Sequence, residues 1–119
     1  MPAKGKVFTV EPRIRLSCGR LAFGPGKADL LEAIDRTGSI SRAAKTLGMS
    51  YMRAWALAKS LDRGFAEPLV CKRRGGSARG GATLSATGRR VLALYRAMEA
   101  ASRTAARRPS GQLGRLLAP

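Results

Sequence analysis

Three residues, Gly48-Met49-Ser50, separate two stretches of helical periodicity near the middle of the chain, and this spacing constrains the fold more than any other feature. Upstream, Ser39 can cap a helix over 40–47, whose apolar residues Ile40, Ala43, Ala44 and Leu47 recur at the period of one buried face. Gly48 stands where a helix ends in the left-handed conformation, and Ser50 can cap the next one. From Tyr51 to about Gly64 or Phe65, Ala54, Leu57, Ala58 and Leu61 share one face. Met52, Ala56, Lys59 and Arg63 point the other way, with Arg53 and Trp55 on the flanks. Two helices joined by a three-residue turn containing glycine are the pattern of a helix-turn-helix.

The flanking segments complete a unit around this pair. Residues 1–12 read as a flexible basic arm, with a possible short strand at Val7-Phe8-Thr9-Val10. The alternation from Arg13 to Phe23 predicts a half-buried strand, which Gly24-Pro25-Gly26 breaks. Leu30, Leu31 and Ile34 predict a helix over 27–37, with Asp29 and Glu32 near its N-terminus and Gly38 as its stop. Beyond the helix-turn-helix (39–65), strands are expected at 69–73 and 82–85, joined by the glycine-rich basic loop 74–81. Ser85 or Thr87 then caps a final helix over 86–103, with Val91, Leu94, Tyr95 and Met98 on one stripe and Leu92 beside it. The sequence after 103 has no periodicity, so 104–119 reads as a disordered basic tail. The expected fold is mainly α with a small β-sheet: a winged helix-turn-helix over 13–103 ending in a long C-terminal dimerisation helix.

Composition limits the chemistry open to such a unit. The 119 residues contain no histidine, which removes the commonest general base, metal ligand and pH switch. The two cysteines, Cys18 and Cys71, are too few for a zinc site and read as small buried hydrophobes in strands. An enzyme is not expected, nor a cofactor or bound metal. No apolar run is long enough to span a membrane, and the basic N-terminus lacks the apolar segment of a secretory signal. Unpaired cysteines fit a cytoplasmic location. Leu, Ile, Val and Phe make up about a fifth of the chain, so the core is thin and a second copy would supply further burial.

The formal charge of +16 calls for a polyanionic partner. Residues 26–62 carry six basic and four acidic groups, a net of +2, whereas 63–108 carry eleven and two, a net of +9. The excess therefore lies after the helix-turn-helix. The densest cluster, Lys72-Arg73-Arg74, runs into glycines and reads as a loop, which disfavours a membrane-surface helix. Double-stranded DNA offers a major groove about 12 Å wide, which admits one α-helix. The helix opening at Ser50 presents Tyr51, Met52, Arg53 and the small Ala56 at its N-terminal end. Arg53 suits a guanine edge, Tyr51 a base or phosphate, and Ser50 a phosphate at the helix N-terminus. Lys59 and Arg63 lie farther along and suit phosphates, as do Lys72, Arg73 and Arg74, while Arg79 can enter a narrow minor groove.

The stretch Gly38-Ser-Ile-Ser-Arg-Ala-Ala-Lys-Thr-Leu-Gly-Met-Ser-Tyr-Met-Arg-Ala-Trp55, then Glu67-Pro-Leu-Val70, the double-glycine wing and Leu84-Ser-Ala-Thr-Gly88 resemble the DNA-binding domain of ModE-type molybdate-responsive transcriptional regulators. That domain is itself similar to the winged helix of LysR-type regulators. The resemblance spans roughly residues 12–102. It implies a homodimer held by the first and last helices, with two recognition helices reading a pseudo-palindromic site, and control of molybdenum-related genes. Family members continue into a β-rich molybdate-binding region that residues 104–119 are too short to form, so the expectation is a DNA-binding domain without it.

Plainer readings stand beside these. A lone Trp next to an Ala/Leu stripe is first a packing residue, and Tyr95 and Met98 are core or dimer interface. Asp29, Glu32 and Asp35 suit an exposed helix face rather than a catalytic pair. The glycine loop lacks the Gly-Lys-Ser/Thr ending of a nucleotide-binding loop. The charge alone would also serve a sequence-indifferent DNA- or RNA-binding architectural protein, and the thin core a protein-interaction module.

Overall fold

The computed structural model describes residues 7–72 and 81–119. Four helices and two hairpins follow in the order β1 (Leu16–Cys18), β2 (Leu21–Phe23), α1 (Pro25–Thr37), α2 (Ile40–Leu47), α3 (Tyr51–Gly64), β3 (Val70–Lys72), β4 (Ala82–Leu84) and α4 (Ala86–Gly114). This is the expected winged helix-turn-helix, with differences at its two ends.

Side chains and glycines fix the central helix boundaries. Ser39 Oγ accepts the Arg42 N–H and Ser50 Oγ accepts the Arg53 N–H, each at 3.1 Å, so both helices start on a satisfied backbone donor. Gly48 takes φ 67°, which an L side chain rarely tolerates, and its N–H closes α2 on the Ala44 and Lys45 carbonyls. Replacing that glycine would strain the turn that sets α3 against α2. Helix α1 begins at Pro25, two residues before the expected start, because a proline at the first helical position has no N–H to lose.

The core lies where α1, α2 and α3 meet. Leu30, Leu31, Ile34 and Leu61 are fully buried, and Ala54 and Ala58 let α3 approach closely. Leu47 and Leu57 are only partly buried at its margin. Phe23 closes the lower end, its ring 6.4 Å from Phe65 and 5.1 Å from Tyr95. The Tyr95 hydroxyl donates to the Ile14 carbonyl at 2.6 Å, tying α4 to the segment before β1. Burial, and then the nearby Glu99 carboxylate, raise the phenol above its ordinary pKa of 10.0.

The β3–β4 hairpin is docked as well as paired. Val70 faces Leu84 and Lys72 faces Ala82, and the Ala82 N–H donates to the Gly38 carbonyl at 2.8 Å. Asp62 on α3 accepts the Leu69 N–H at 2.9 Å and the Val70 N–H at 3.4 Å. At the other end, Ser85 caps α4 through the Gly88 N–H, and its own N–H donates to the Leu69 carbonyl. The hairpin root is thereby fixed to α1, α3 and α4 together.

Four expectations are corrected. The strand predicted over 13–23 is a hairpin, in which Gly19 (φ 58°) and Arg20 form a two-residue turn between Cys18 and Leu21. Alternation runs only from Arg13 to Ser17, and the apolar Leu21-Ala22-Phe23 reads as its continuation unless Gly19 is taken as a turn. No strand forms at Val7–Val10, which has no partner strand among the described residues. Cys18 and Cys71 are in strands but exposed: all three residues of β1 are open to solvent, and Cys71 points away from the face that buries Val70. Finally, the segment after 103 is helical through Gly114, passing Pro109, instead of a disordered tail. An already nucleated helix of Ala and Arg extends at low cost, and Pro109 removes one hydrogen bond on an exposed stretch.

Candidate nucleic-acid interface

Helix α3 turns Ala54, Ala58 and Leu61 into the core, and the same periodicity forces its remaining residues outward. Met52 is 70% and Tyr51 49% exposed; Arg53, Ala56 and Arg63 are also exposed, and Lys59 is half-buried. Met52, Ala56, Lys59 and Arg63 form one stripe, with Arg53 beside its N-terminal end. The expected outward set is therefore brought together on one helix. Ser50 is exposed at its start, its oxygen already engaged by the Arg53 N–H while its hydroxyl proton stays available.

Lys72, the last residue of β3, is exposed at the hairpin root. Its ammonium lies 5.1 Å from the Trp55 ring centroid, and that of Lys59 lies 5.4 Å away. Trp55 thus joins α3 to the hairpin, in addition to the packing role expected for it. Arg73, Arg74 and Arg79, together with most of the expected wing loop, lie outside the described residues. Two further cations, Arg42 and Lys45, stand exposed on α2 opposite Ala43 and Ala44. They escaped the sequence analysis although the same periodicity places them outward.

The negative groups are gathered elsewhere. Arg96 on α4 donates to Asp29 at 2.9 Å, Glu32 at 3.2 Å and Glu99 at 2.9 Å. Burial opposes the guanidinium charge, but the bonds to Asp29 and Glu99, with Glu32 close by, hold it more firmly protonated than usual. Arg89 pairs with Asp35 at 2.9 Å, and Glu67 accepts the Thr87 hydroxyl at 2.7 Å. With Asp62 bound to the β3 backbone, every acidic residue except Glu11 and Glu99 joins two elements, and Glu99 holds Arg96 within α4. The outer face of α3 is left positive. Among the described residues no helix is long and apolar enough to cross a membrane.

No family model matches the chain. Among curated proteins it is similar to the Molybdenum transport protein ModE of Azotobacter vinelandii, 44% identical over 92 residues covering 77% of this chain and 34% of that one. The Molybdenum-pterin-binding protein MopB of Rhodobacter capsulatus is 44% identical over 66% of this chain and 29% of its own length. The DNA-binding transcriptional dual regulator ModE of Escherichia coli K12 is 37% identical over 64% and 29%. The chain thus spans about a third of the length of these relatives. Among solved structures, the DNA-binding domain of CbnR, crystallised with DNA, superposes with a TM-score of 0.55 at 24% identity, over 71% of this chain and 92% of that one. That likeness concerns the fold. By sequence the chain is thus similar to part of ModE-type proteins, and by fold it is a winged helix-turn-helix.

Proposed function

We propose that the chain is a sequence-specific double-stranded DNA-binding transcriptional regulator, acting in the cytoplasm as a homodimer on molybdenum-related genes. The observation that carries the reading is the outer face of α3, where Met52, Arg53, Ala56 and Arg63 stand exposed and, among the described residues, pair with no carboxylate. A helix with small and donor side chains toward its N-terminal end fits a major groove, and Arg53 is the residue assigned to a base edge. Tyr51 and Ser50 take base or backbone contacts, and Lys59, Arg63 and Lys72 take phosphates. Arg73, Arg74 and Arg79 are assigned to the strands beside the groove by their sequence position. The names of the relatives support both the DNA target and the link to molybdenum.

The dimer, through the first and last helices, is supported by α4. No residue after Glu99 is buried, although the helix runs to Gly114, and Leu94 is 51% exposed beside an apolar groove of about 290 Å³ lined by Leu16, Phe23 and Met98. A helix projecting this far without cover gains stability from a second copy.

Selection of sites from a random duplex library at two salt concentrations tests the reading. One pseudo-palindromic sequence enriched at both concentrations is the expected result. Recovery of no common sequence, with random duplex and RNA competing equally, would favour a sequence-indifferent nucleic-acid protein instead.

A further inference from the structure

Trp55, Lys59 and Lys72 form a cluster that packing alone does not explain. The two ammonium groups come from different elements, one turn along α3 and at the end of β3, yet both lie within 5.4 Å of the same ring centroid. Like charges repel, and among the described residues neither lysine is paired with a carboxylate. The negative face of the indole is what draws them together. The ring is also half-buried, so it cannot swing freely, while Lys72 is exposed and Lys59 partly so. Two cations held together without a counter-charge are organised in advance for an anion that passes along the joint between helix and hairpin.

We propose that Trp55 is a positioning residue for DNA backbone binding: its ring holds Lys59 and Lys72 together so that α3 and the β3–β4 hairpin grip the phosphates of one strand as a unit. This inference rests on the duplex-binding reading above. The phosphates neutralise the repulsion between the lysines and complete the cluster. The ring itself need not touch DNA.

A double-mutant cycle on the full chain tests this, reading duplex affinity across a salt series. Two exposed cation–π contacts correspond to about tenfold in affinity, so Trp55→Leu is expected to weaken binding by about that factor. It should also flatten the plot of log affinity against log salt by up to about 0.9 per displaced lysine, a change that lost packing alone would not produce. Trp55→Phe, which keeps a ring, should retain most of the affinity. Lys72→Ala and Lys59→Ala should each cost less in the Trp55→Leu background than in the wild type.

Additive penalties with an unchanged salt slope would overturn the proposal while leaving duplex binding intact. A wild-type chain that binds no duplex would overturn the underlying reading as well. Trp55 is the single tryptophan, so emission gives a second measurement that does not depend on the folding of any Trp55 variant. Saturating duplex should shift the wild-type emission, and Lys59→Ala and Lys72→Ala should each reduce that shift. An emission spectrum indifferent to bound duplex would refute the arrangement.

Discussion

Gly88→Ala isolates the contact that joins α4 to the hairpin root. Gly88 is the third residue of α4 and is buried, and a Cβ built there would overlap the Leu69 carbonyl oxygen and crowd the Leu69 Cα at 3.2 Å. The obstacle is backbone, so no rotamer change relieves it. The same carbonyl accepts the Ser85 N–H at 2.9 Å, and the Leu69 N–H is held by Asp62 at 2.9 Å, so both sides of the residue are fixed. Alanine would otherwise favour the helix by up to about 1 kcal/mol. Forced overpacking costs about 1–3 kcal/mol, and loss of the Ser85 bond about 1 kcal/mol more. The net expectation is a destabilisation of about 2 kcal/mol, or a fall in Tm of roughly 10 °C. Thermal unfolding followed by far-UV circular dichroism measures it. Gly111→Ala is the internal control, since nothing lies within 4 Å of its Cβ position and it should not lower Tm. A Gly88→Ala variant as stable as the wild type, or more so, would refute the close approach of α4 to Leu69.

Three further outcomes follow from the same framework. Asp62→Ala should cost about 1–3 kcal/mol in urea unfolding by leaving the Leu69 and Val70 N–H groups without their acceptor, and Asp62→Asn should recover much of that. Arg96→Met should destabilise by about 1–3 kcal/mol because it strands the largely buried Glu99, and pairing it with Glu99→Leu should restore part of the loss. The raised Tyr95 pKa means that the folded chain binds the phenolic proton more tightly than the unfolded chain; its contribution is complete below pH 10 and is lost as pH rises through the folded-state value. Stability curves from pH 8 to 12 should therefore fall more steeply for the wild type than for Tyr95→Phe, and parallel curves would contradict the assignment.

The middle of the fold was legible because its boundaries are written in local chemistry. Ser39, Gly48 and Ser50 each act on backbone within a few residues, so α2 and α3 could be placed from the sequence. The ends were harder. The first arm of the β1–β2 hairpin alternates and the second is apolar throughout, so nothing in the strands themselves breaks the run and only Gly19 marks the reversal. Pro109 signals a stop when read locally, but the helix preceding it is already formed. The exposure of Met52, Ala56 and Arg63 follows from the same period that buries Ala54, Ala58 and Leu61. The placing of Lys72 beside Trp55 depends on how β3 docks through Asp62, a contact between distant segments that no local pattern records.

The central claim is that α3 reads bases while the hairpin root holds backbone, and comparison of Arg53→Ala with Lys72→Ala on a panel of single-base operator variants tests it most directly. Arg53→Ala should erase discrimination at one position of each half-site, worth about 1–3 kcal/mol, and leave the preferences elsewhere intact. Lys72→Ala should weaken every sequence alike and lower the salt slope by about 0.9. If both variants lose the same affinity on every duplex, with no base preference altered, α3 is not the reading helix.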